Sequence, residues 1–105
     1  MPLTPSVDLR QFESRPFLSE PFIVALPLDH PLVDLDTVDL NLLDDQPFIM
    51  FSPDAARYFH DLLTNAFDAA QILPKIVHQV GQMHSMLALV DVGFGAALVP
   101  QSAER

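Results

Sequence analysis

The sequence predicts an α/β domain with three layers, in which a mostly parallel sheet carries helices on both faces. From residue 47 onward, short apolar runs alternate with segments of helical period, which gives the order strand, helix, strand, helix, strand. Connections of this kind join parallel strands through right-handed crossovers. A chain of 105 residues that is 50% hydrophobic and 18% charged is long enough and apolar enough for one packed core.

The strands are predicted from apolar runs too short to form helices. Residues 21–27 hold five consecutive apolar side chains between two prolines, a pattern typical of a buried strand. Similar runs predict three further strands, near 47–51, 75–80 and 95–99. Residues 1–20 mix apolar and charged side chains without a clear period, so we expect extended chain there.

The strongest helical period lies in residues 54–70. Its apolar side chains recur at the spacing of one helix face: Phe59, Leu62, Leu63, Ala66, Phe67 and Ala70. Ser52 fits the N-cap of this helix and Pro53 fits its first position, where a missing N–H has no consequence.

Two further helices are predicted with less regular patterns. One spans about residues 82–92 and ends at Gly93, a residue that suits a left-handed C-cap. The other is short, near 36–43, with Asp36 as its N-cap and with Leu40 and Leu43 facing the core.

The charge balance limits the partners of the chain. Fourteen acidic residues against five basic ones give a net charge of −9, which argues against direct contact with nucleic acid. No apolar run approaches the length of a membrane span, and the N-terminus lacks the pattern of a signal peptide, so a cytoplasmic location and no membrane contact are expected.

No pattern in the sequence points to catalysis, a metal or a cofactor. The absence of cysteine excludes disulfides and thiol nucleophiles, and the four histidines (His30, His60, His78 and His84) do not have metal-ligand spacing. There is no nucleophile elbow and no glycine-rich phosphate loop. We therefore predict that the chain is not an enzyme and that it carries no cofactor and no metal.

A ligand site is predicted from position alone, since open parallel sheets bind ligands beyond the carboxyl ends of their strands. Those ends place six residues at one edge: Phe51, Ser52, Pro53, Gly81, Gln82 and Pro100. Two of the ends lead into helix N-termini, which favour an anion. Ser52 serves as a helix cap or as a ligand contact, and the two roles are compatible in one side chain.

Two stretches of the chain resemble a known family. In residues 13–32 a strand ends in Leu26-Pro27 and leads into the turn His30-Pro31-Leu32. In residues 82–100 a helix is followed by Gly93-Phe94-Gly95 and a short strand ending in Val99-Pro100. From about residue 9 to 105 the chain resembles the effector-binding domain of LysR-type transcriptional regulators.

The resemblance implies the second subdomain of a periplasmic-binding-protein-like fold of type 2. It divides the chain into a remnant of the first subdomain with an N-terminal arm (1–20), a second effector-binding subdomain (21–100) and the start of a return segment (101–105). Residues 21–27 become a strand that crosses between subdomains, which adds Leu26 and Pro27 to the effector site.

By the same resemblance, the chain is an effector-sensing fragment of a regulator that lacks the helix-turn-helix. A small molecule, often an organic anion, sits between the subdomains and shifts their orientation, while DNA is bound by the N-terminal domain. The alternative is a solute-binding protein of the same fold that serves transport, which would require an export signal.

Self-association, as a dimer or a higher oligomer, is also expected. The resemblance implies that subdomains pack antiparallel across a dimer through the helix near 54–70 and the strand near 75–80. A chain that keeps this surface without its usual partner exposes apolar area and a strand edge.

Overall fold

The computed structural model of the chain describes residues 7–12 and 21–101. Their regular elements, in chain order, are β1 (Val7–Phe12), β2 (Phe22–Pro27), a 3₁₀-helix (Pro31–Asp34), β3 (Thr37–Val38), a 3₁₀-helix (Leu40–Leu43), β4 (Pro47–Phe51), α1 (Arg57–Ala70), β5 (Lys75–Val80), α2 (Met83–Asp91) and β6 (Ala97–Pro100). Residues 1–6, 13–20 and 102–105, and with them most of the expected arm and return segment, lie outside the described residues.

The strands form a four-stranded sheet in the order β3-β1-β2-β6 and a two-stranded sheet of β4 and β5. One bridge, between Phe48 and Ala96, joins the two sheets. Its hydrogen bonds run from Ile49 N to the Ala96 oxygen (2.8 Å) and from Ala96 N to the Pro47 oxygen (3.0 Å). The strands therefore lie side by side in the order β5-β4-β6-β2-β1-β3.

Three of the five neighbouring strand pairs are parallel, in agreement with the predicted mostly parallel sheet. β4 is parallel to β5 and, at the bridge, to the segment leading into β6, and β1 is parallel to β3. The predicted unit of three parallel strands and two helices is thus confirmed. β2, however, runs antiparallel to both of its neighbours, β1 and β6, so the sheet is mixed.

The two helices pack on opposite faces of β4. The Phe48 ring contacts the Phe67 ring of α1 at 5.3 Å between centroids in a T-shaped arrangement. Ile49 points to the other face, because successive strand residues alternate. Its register partner His78 contacts the ring of Phe94, directly after α2, at 4.8 Å. This arrangement confirms the three-layer α/β fold.

The predicted helix over 36–43 is wrong. Thr37 and Val38 form β3, which pairs with the end of β1, and only Leu40–Leu43 is helical, as a single 3₁₀ turn. The N-cap of that turn is Asp39, not Asp36. β-branched residues such as Thr and Val favour a strand where a partner is available, and β1 supplies one. Leu40 and Leu43 are fully buried, as predicted.

Residues 7–12 belong to the main sheet. β1 pairs antiparallel with β2 from Val7 opposite Pro27 to Gln11 opposite Ile23, and Val7 is part of the core. The division of the chain into residues 1–20 and 21–100 stays a prediction, and β1 is joined to β2 by this pairing. Its pairing partner lies more than ten residues away in the chain, so no local period could reveal it.

The helix boundaries agree with the prediction to within one residue, except at the start of α1. α1 begins at Arg57 rather than near 54, because Ala56 has a non-helical backbone (φ −141°, ψ 55°). α2 ends as predicted: Gly93 adopts φ +91°, Gly93 N bonds the Val90 oxygen and Phe94 N bonds the Leu89 oxygen. These two bonds make a Schellman C-cap. Within the described residues, no helix is long and apolar enough to cross a bilayer.

His30 caps the first 3₁₀-helix and makes the stability of the fold depend on pH. Its Nδ1 accepts the N–H of Leu32 at 3.1 Å, which requires an unprotonated nitrogen. Burial lowers the pKa of His30 below its ordinary value of 6.5, against an opposing effect of Asp29. As the pH falls, the unfolded chain binds the proton first. The contribution of His30 to the free energy of unfolding is therefore complete above about pH 6.5, and it is lost as the pH falls below this value.

We expect His30→Asn to weaken this pH dependence, because asparagine keeps a capping acceptor that does not titrate. Urea midpoints are measured by circular dichroism at pH 7.5 and 5.5. The decrease in the midpoint from the higher to the lower pH is expected to be smaller for His30→Asn than for the wild type. His30→Ala, which lacks the cap, is expected to lose about 1 kcal/mol at the higher pH. Equal falls in the wild type and His30→Asn would contradict the assignment.

Candidate functional site

The carboxyl ends of β4 and β5 meet at one edge of the sheet. Phe51 lies opposite Val80, and the N–H of Ser52 donates to the Val80 oxygen at 2.7 Å. The residues that follow each strand are thereby brought together: Ser52 and Pro53 after β4, Gly81 and Gln82 after β5. Four of the eight predicted site residues thus share one surface.

Gly81 allows a close approach within this surface. A Cβ atom built on Gly81 would lie 2.6 Å from the Cβ of Ala55, a distance that real Cβ contacts do not reach. The turn after β4 and the start of α2 therefore touch each other at this point. Sequence reasoning missed Ala55, because a contact between two loops leaves no periodic signal.

Phe51 and Pro100 lie at the same edge but are buried. Phe51 packs on the Phe59 ring at 5.1 Å, and Phe59 in turn contacts Phe22, at the start of β2, at 6.0 Å. Pro100 is paired with Phe22. These residues lie at the predicted edge and form the apolar support behind the surface, and their contact with an effector stays a prediction.

The structure does not bring Leu26 and Pro27 to this edge. β2 is antiparallel to β6, with Phe22 opposite Pro100 and Ala25 opposite Ala97. The carboxyl end of β2 therefore lies at the opposite edge of the sheet from Ser52 and Gly81. Both Leu26 and Pro27 are also buried within the described residues.

Ser52 organises the turn that follows β4. Its Oγ accepts the N–H groups of Asp54 and Ala55, each at 3.3 Å, and its carbonyl accepts that of Ala56 at 2.9 Å. The amide groups of this turn are therefore satisfied internally. The hydroxyl proton finds no acceptor among the described contacts, so it is free to donate to a ligand. The capping role predicted for Ser52 is confirmed for this turn, and not for α1 itself.

The N-terminus of α2 has more backbone N–H groups without a hydrogen-bond acceptor than the turn that precedes α1. Gln82 is its N-cap with an extended backbone, and its side chain makes no capping bond. The first bond of the helix runs from Met86 N to the Gln82 oxygen at 3.1 Å. The amides of Met83, His84 and Ser85 therefore have no acceptor within the helix. The first turn contains no acidic residue, so this end attracts an anion.

The surface is a wall and not a closed cavity. Two cavities of the described residues lie elsewhere, one of about 430 Å³ beside Tyr58 on the outer side of α1 and one of about 180 Å³ between α1 and β5. No group of three His, Cys, Asp or Glu residues able to hold a metal occurs in residues 7–12 and 21–101. The edge offers a row of hydrogen-bond donors backed by apolar packing.

A mixed α/β sheet with donors at the carboxyl edge of its parallel strands defines a ligand-binding domain. Comparison with known proteins gives the family. The LysR substrate binding domain matches residues 3–105, so the chain belongs to that family.

The curated relatives are transcriptional regulators. The HTH-type transcriptional regulator BudR of Raoultella terrigena is 32% identical over 98 residues, which cover 93% of this chain and 34% of BudR. The HTH-type transcriptional regulator XapR of Escherichia coli is 30% identical over 101 residues, which cover 96% of this chain and 32% of XapR. The chain thus spans about a third of the length of these relatives.

Solved structures of the same fold contain bound effectors. The effector binding domain of QuiR in complex with shikimate matches with a TM-score of 0.72 at 26% identity, over 92% of this chain and 43% of that one. The BenM effector binding domain with its effector benzoate matches with a TM-score of 0.71 at 26% identity, over 99% of this chain and 46% of that one. The chain therefore spans less than half of each of these domains.

Proposed function

We propose that the chain is the effector-sensing part of a LysR-type DNA-binding transcriptional regulator and that it supplies one wall of the effector site. The observation that carries the proposal is the row of donors where β4 and β5 end: the Ser52 hydroxyl, the Gln82 side chain and the first amides of α2. The family match over residues 3–105 supports this use of the edge.

The ligand class that fits this wall is a small organic anion. The wall presents N–H and O–H groups together with the positive end of the α2 dipole, and these groups complement a carboxylate. The ligands of the two effector-bound neighbours, shikimate and benzoate, are both carboxylates. Ser52, Pro53, Gly81 and Gln82 are the residues for which we keep the proposal of ligand contact.

Residues 21–100 would form the second effector-binding subdomain, with β1 paired to its strand β2. A single wall binds a small molecule weakly, because drug-sized ligands are held in clefts that bury most of their surface. The facing wall and the DNA contacts would come from the remainder of the regulator, which in the curated relatives is about two thirds of the chain. The net charge of −9 agrees with a part that does not touch DNA, and a cytoplasmic location follows from this role.

Transport is the weaker alternative. Its support is the periplasmic-binding-protein-like architecture alone, whereas both relatives described above are transcriptional regulators. Within a regulator, ligand closure of the two walls would change the relative orientation of the subdomains and so the spacing of the DNA-binding heads. No enzymatic step is part of this role.

The proposal is tested by Ser85→Asp, which places a carboxylate at the third position of α2. A negative charge there stabilises the helix but repels an anionic ligand. In an NMR titration of the chain with benzoate and with shikimate, we expect shifts of the Ser52, Gln82 and Met83 amides in the wild type. Ser85→Asp is expected to abolish them while its urea midpoint stays equal or rises.

Asn65→Asp is the matched control, because it adds the same charge on the exposed side of α1 away from this edge. It is expected to keep the wild-type response. In the full-length regulator, Ser52→Leu is expected to blunt the effector response and to leave DNA affinity unchanged. Equal titration shifts in the wild type and Ser85→Asp would contradict the assignment of the wall.

A further inference from the structure

A small cavity lies between α1 and β5, on the face of the sheet that α1 covers. Its volume is about 180 Å³, slightly more than the roughly 150 Å³ of an engineered cavity that binds benzene. Its inner surface is formed by Met50, Phe67 and Ile72, which are buried, and Ile76 of β5 lies at its margin. The lining is therefore mainly apolar, and the cavity has room for one aromatic ring or a compact alkyl group.

The loop that follows α1 borders this cavity, and hydrogen bonds to the rest of the fold hold it in place. The N–H of Ile72 donates to the Phe67 oxygen at 3.1 Å. The N–H of Leu73 donates to Oδ1 of Asp44 at 2.8 Å, and the Leu73 oxygen accepts the N–H of Asp45 at 3.0 Å. The cavity is therefore formed before a ligand arrives, which lowers the free-energy cost of binding.

The cavity has a negative charge at its mouth, from Asp68 and from the C-terminus of α1. Asp68 lines the cavity in the last turn of the helix, where the aligned peptide dipoles already give a partial negative charge, and that turn contains no basic residue. In the part of the chain that the structure describes, no basic side chain pairs with the Asp68 carboxylate. Lys75, which follows the lining residue Pro74, lies 3.6 Å from Asp45 instead. A cation beside Asp68 therefore relieves the repulsion between this carboxylate and the helix end.

The cavity and the proposed wall of the effector site attract opposite charges. The wall lies where β5 ends, at Gly81, and it presents the positive end of the α2 dipole. The cavity is bordered by residues that precede β5, and it presents the negative end of the α1 dipole. A carboxylate that fits the wall is repelled from the cavity, so the two places do not serve the same class of ligand.

We propose that this cavity is a second ligand site, which binds a small organic cation: an amine carried on one aromatic ring or on a compact alkyl group. The apolar part of the ligand lies against Met50, Phe67 and Ile72, and its ammonium group lies at the Asp68 carboxylate beside the end of α1. Because Asp68 is exposed, water screens its attraction, and most of the affinity comes from burial of the apolar part. The proposal does not depend on the effector wall.

The test is an NMR titration of the chain at low salt with benzylamine, with benzyl alcohol as its neutral isostere and with benzoate as the anion. Benzylamine is expected to shift the amides of Ile72, Leu73 and Ile76 with a Kd of about 1 mM, the weak affinity of a ligand this small. Benzyl alcohol is expected to bind there about threefold more weakly, because it lacks the charge. Benzoate is expected to leave these three amides unchanged.

Two pairs of variants separate the charge from the cavity. Asp68→Asn is expected to make the affinities for benzylamine and benzyl alcohol equal, whereas Asp61→Asn, which removes the same charge from α1 outside the cavity, is expected to keep the threefold difference. Thr64→Phe, at an exposed position that lines the cavity, is expected to abolish binding of both ligands. Asn65→Phe, at the next exposed position and outside the cavity, is the matched control and is expected to bind both.

Three results would overturn the proposal. The first is equal affinity of the wild type for benzylamine and benzyl alcohol, which would show that Asp68 and the helix end do not select a cation. The second is unchanged binding in Thr64→Phe, with a urea midpoint that shows the variant to be folded. The third is a benzylamine response confined to the Ser52 and Gln82 amides, which would place the amine at the effector wall.

Discussion

Gly95→Ala is expected to lower the free energy of unfolding by about 3 kcal/mol, in the range of severe overpacking. A Cβ atom on residue 95 would lie 2.7 Å from the oxygen of Pro47 and 2.8 Å from its carbonyl carbon. These are backbone atoms of β4, and the bonds of the Phe48–Ala96 bridge hold them in place. The steric overlap can therefore be relieved only if the two sheets separate where they join.

Gly93→Ala is the matched control, two residues earlier in the same segment. Nothing lies within 4 Å of a Cβ on Gly93, but its φ of +91° is strained for any other residue. The expected loss is about 1 kcal/mol, from backbone conformation alone. Urea unfolding followed by circular dichroism measures both variants. A loss in Gly95→Ala no larger than that in Gly93→Ala would show that the two backbones separate easily.

Phe48→Ala is expected to lower the free energy of unfolding by about 4 kcal/mol, the usual loss when a buried phenylalanine is truncated. Phe48 has no exposed surface and lies at the junction of the two sheets. Its ring meets the edge of Phe67, so the variant leaves a cavity between β4 and α1 and removes an aromatic pair. Urea denaturation monitored by circular dichroism again gives the value.

Two comparisons isolate the cause. Tyr58→Ala removes an exposed ring from α1 and is expected to change the stability by no more than about 0.5 kcal/mol. The double variant Phe48→Ala with Phe67→Ala is expected to lose about 1 kcal/mol less than the sum of the single losses, because the pair is already broken. Additive losses would indicate that the two rings do not interact.

Local patterns in the sequence were sufficient for most of the fold. The apolar runs located β2, β4, β5 and β6 within two residues, and the helical stripe located the buried face of α1. They failed at β3, because two residues form a strand only when β1 is beside them. They also failed to give the antiparallel direction of β2, which depends on pairing between distant segments.

The same limit applies to the candidate site. Ser52 and Gly81 lie at the predicted edge because they directly follow parallel strands, a position that the chain order reveals. Leu26 and Pro27 lie at the opposite edge, since their position depends on the direction of β2. The contact of Gly81 with Ala55 could not be predicted either, because the two residues meet only once the crossover from β4 through α1 to β5 has formed.

The join between the two sheets also has a mechanical meaning. At Phe48 the join consists of hydrogen bonds, whose energy depends steeply on angle. At Phe51 it consists of a tilted ring contact with Phe59 and an edge-on contact of Phe59 with Phe22, whose energy changes little with small displacements. The unit of β4, β5 and α1 is therefore held firmly at the Phe48–Ala96 bridge and more loosely at the aromatic contact. A rotation of a few degrees about the Phe48–Ala96 bridge would displace Ser52 and Gly81 more than the residues near the bridge, because they lie about 13 Å along the strands from it. The edge that carries the hydrogen-bond donors is thus the part of this unit that such a rotation moves most.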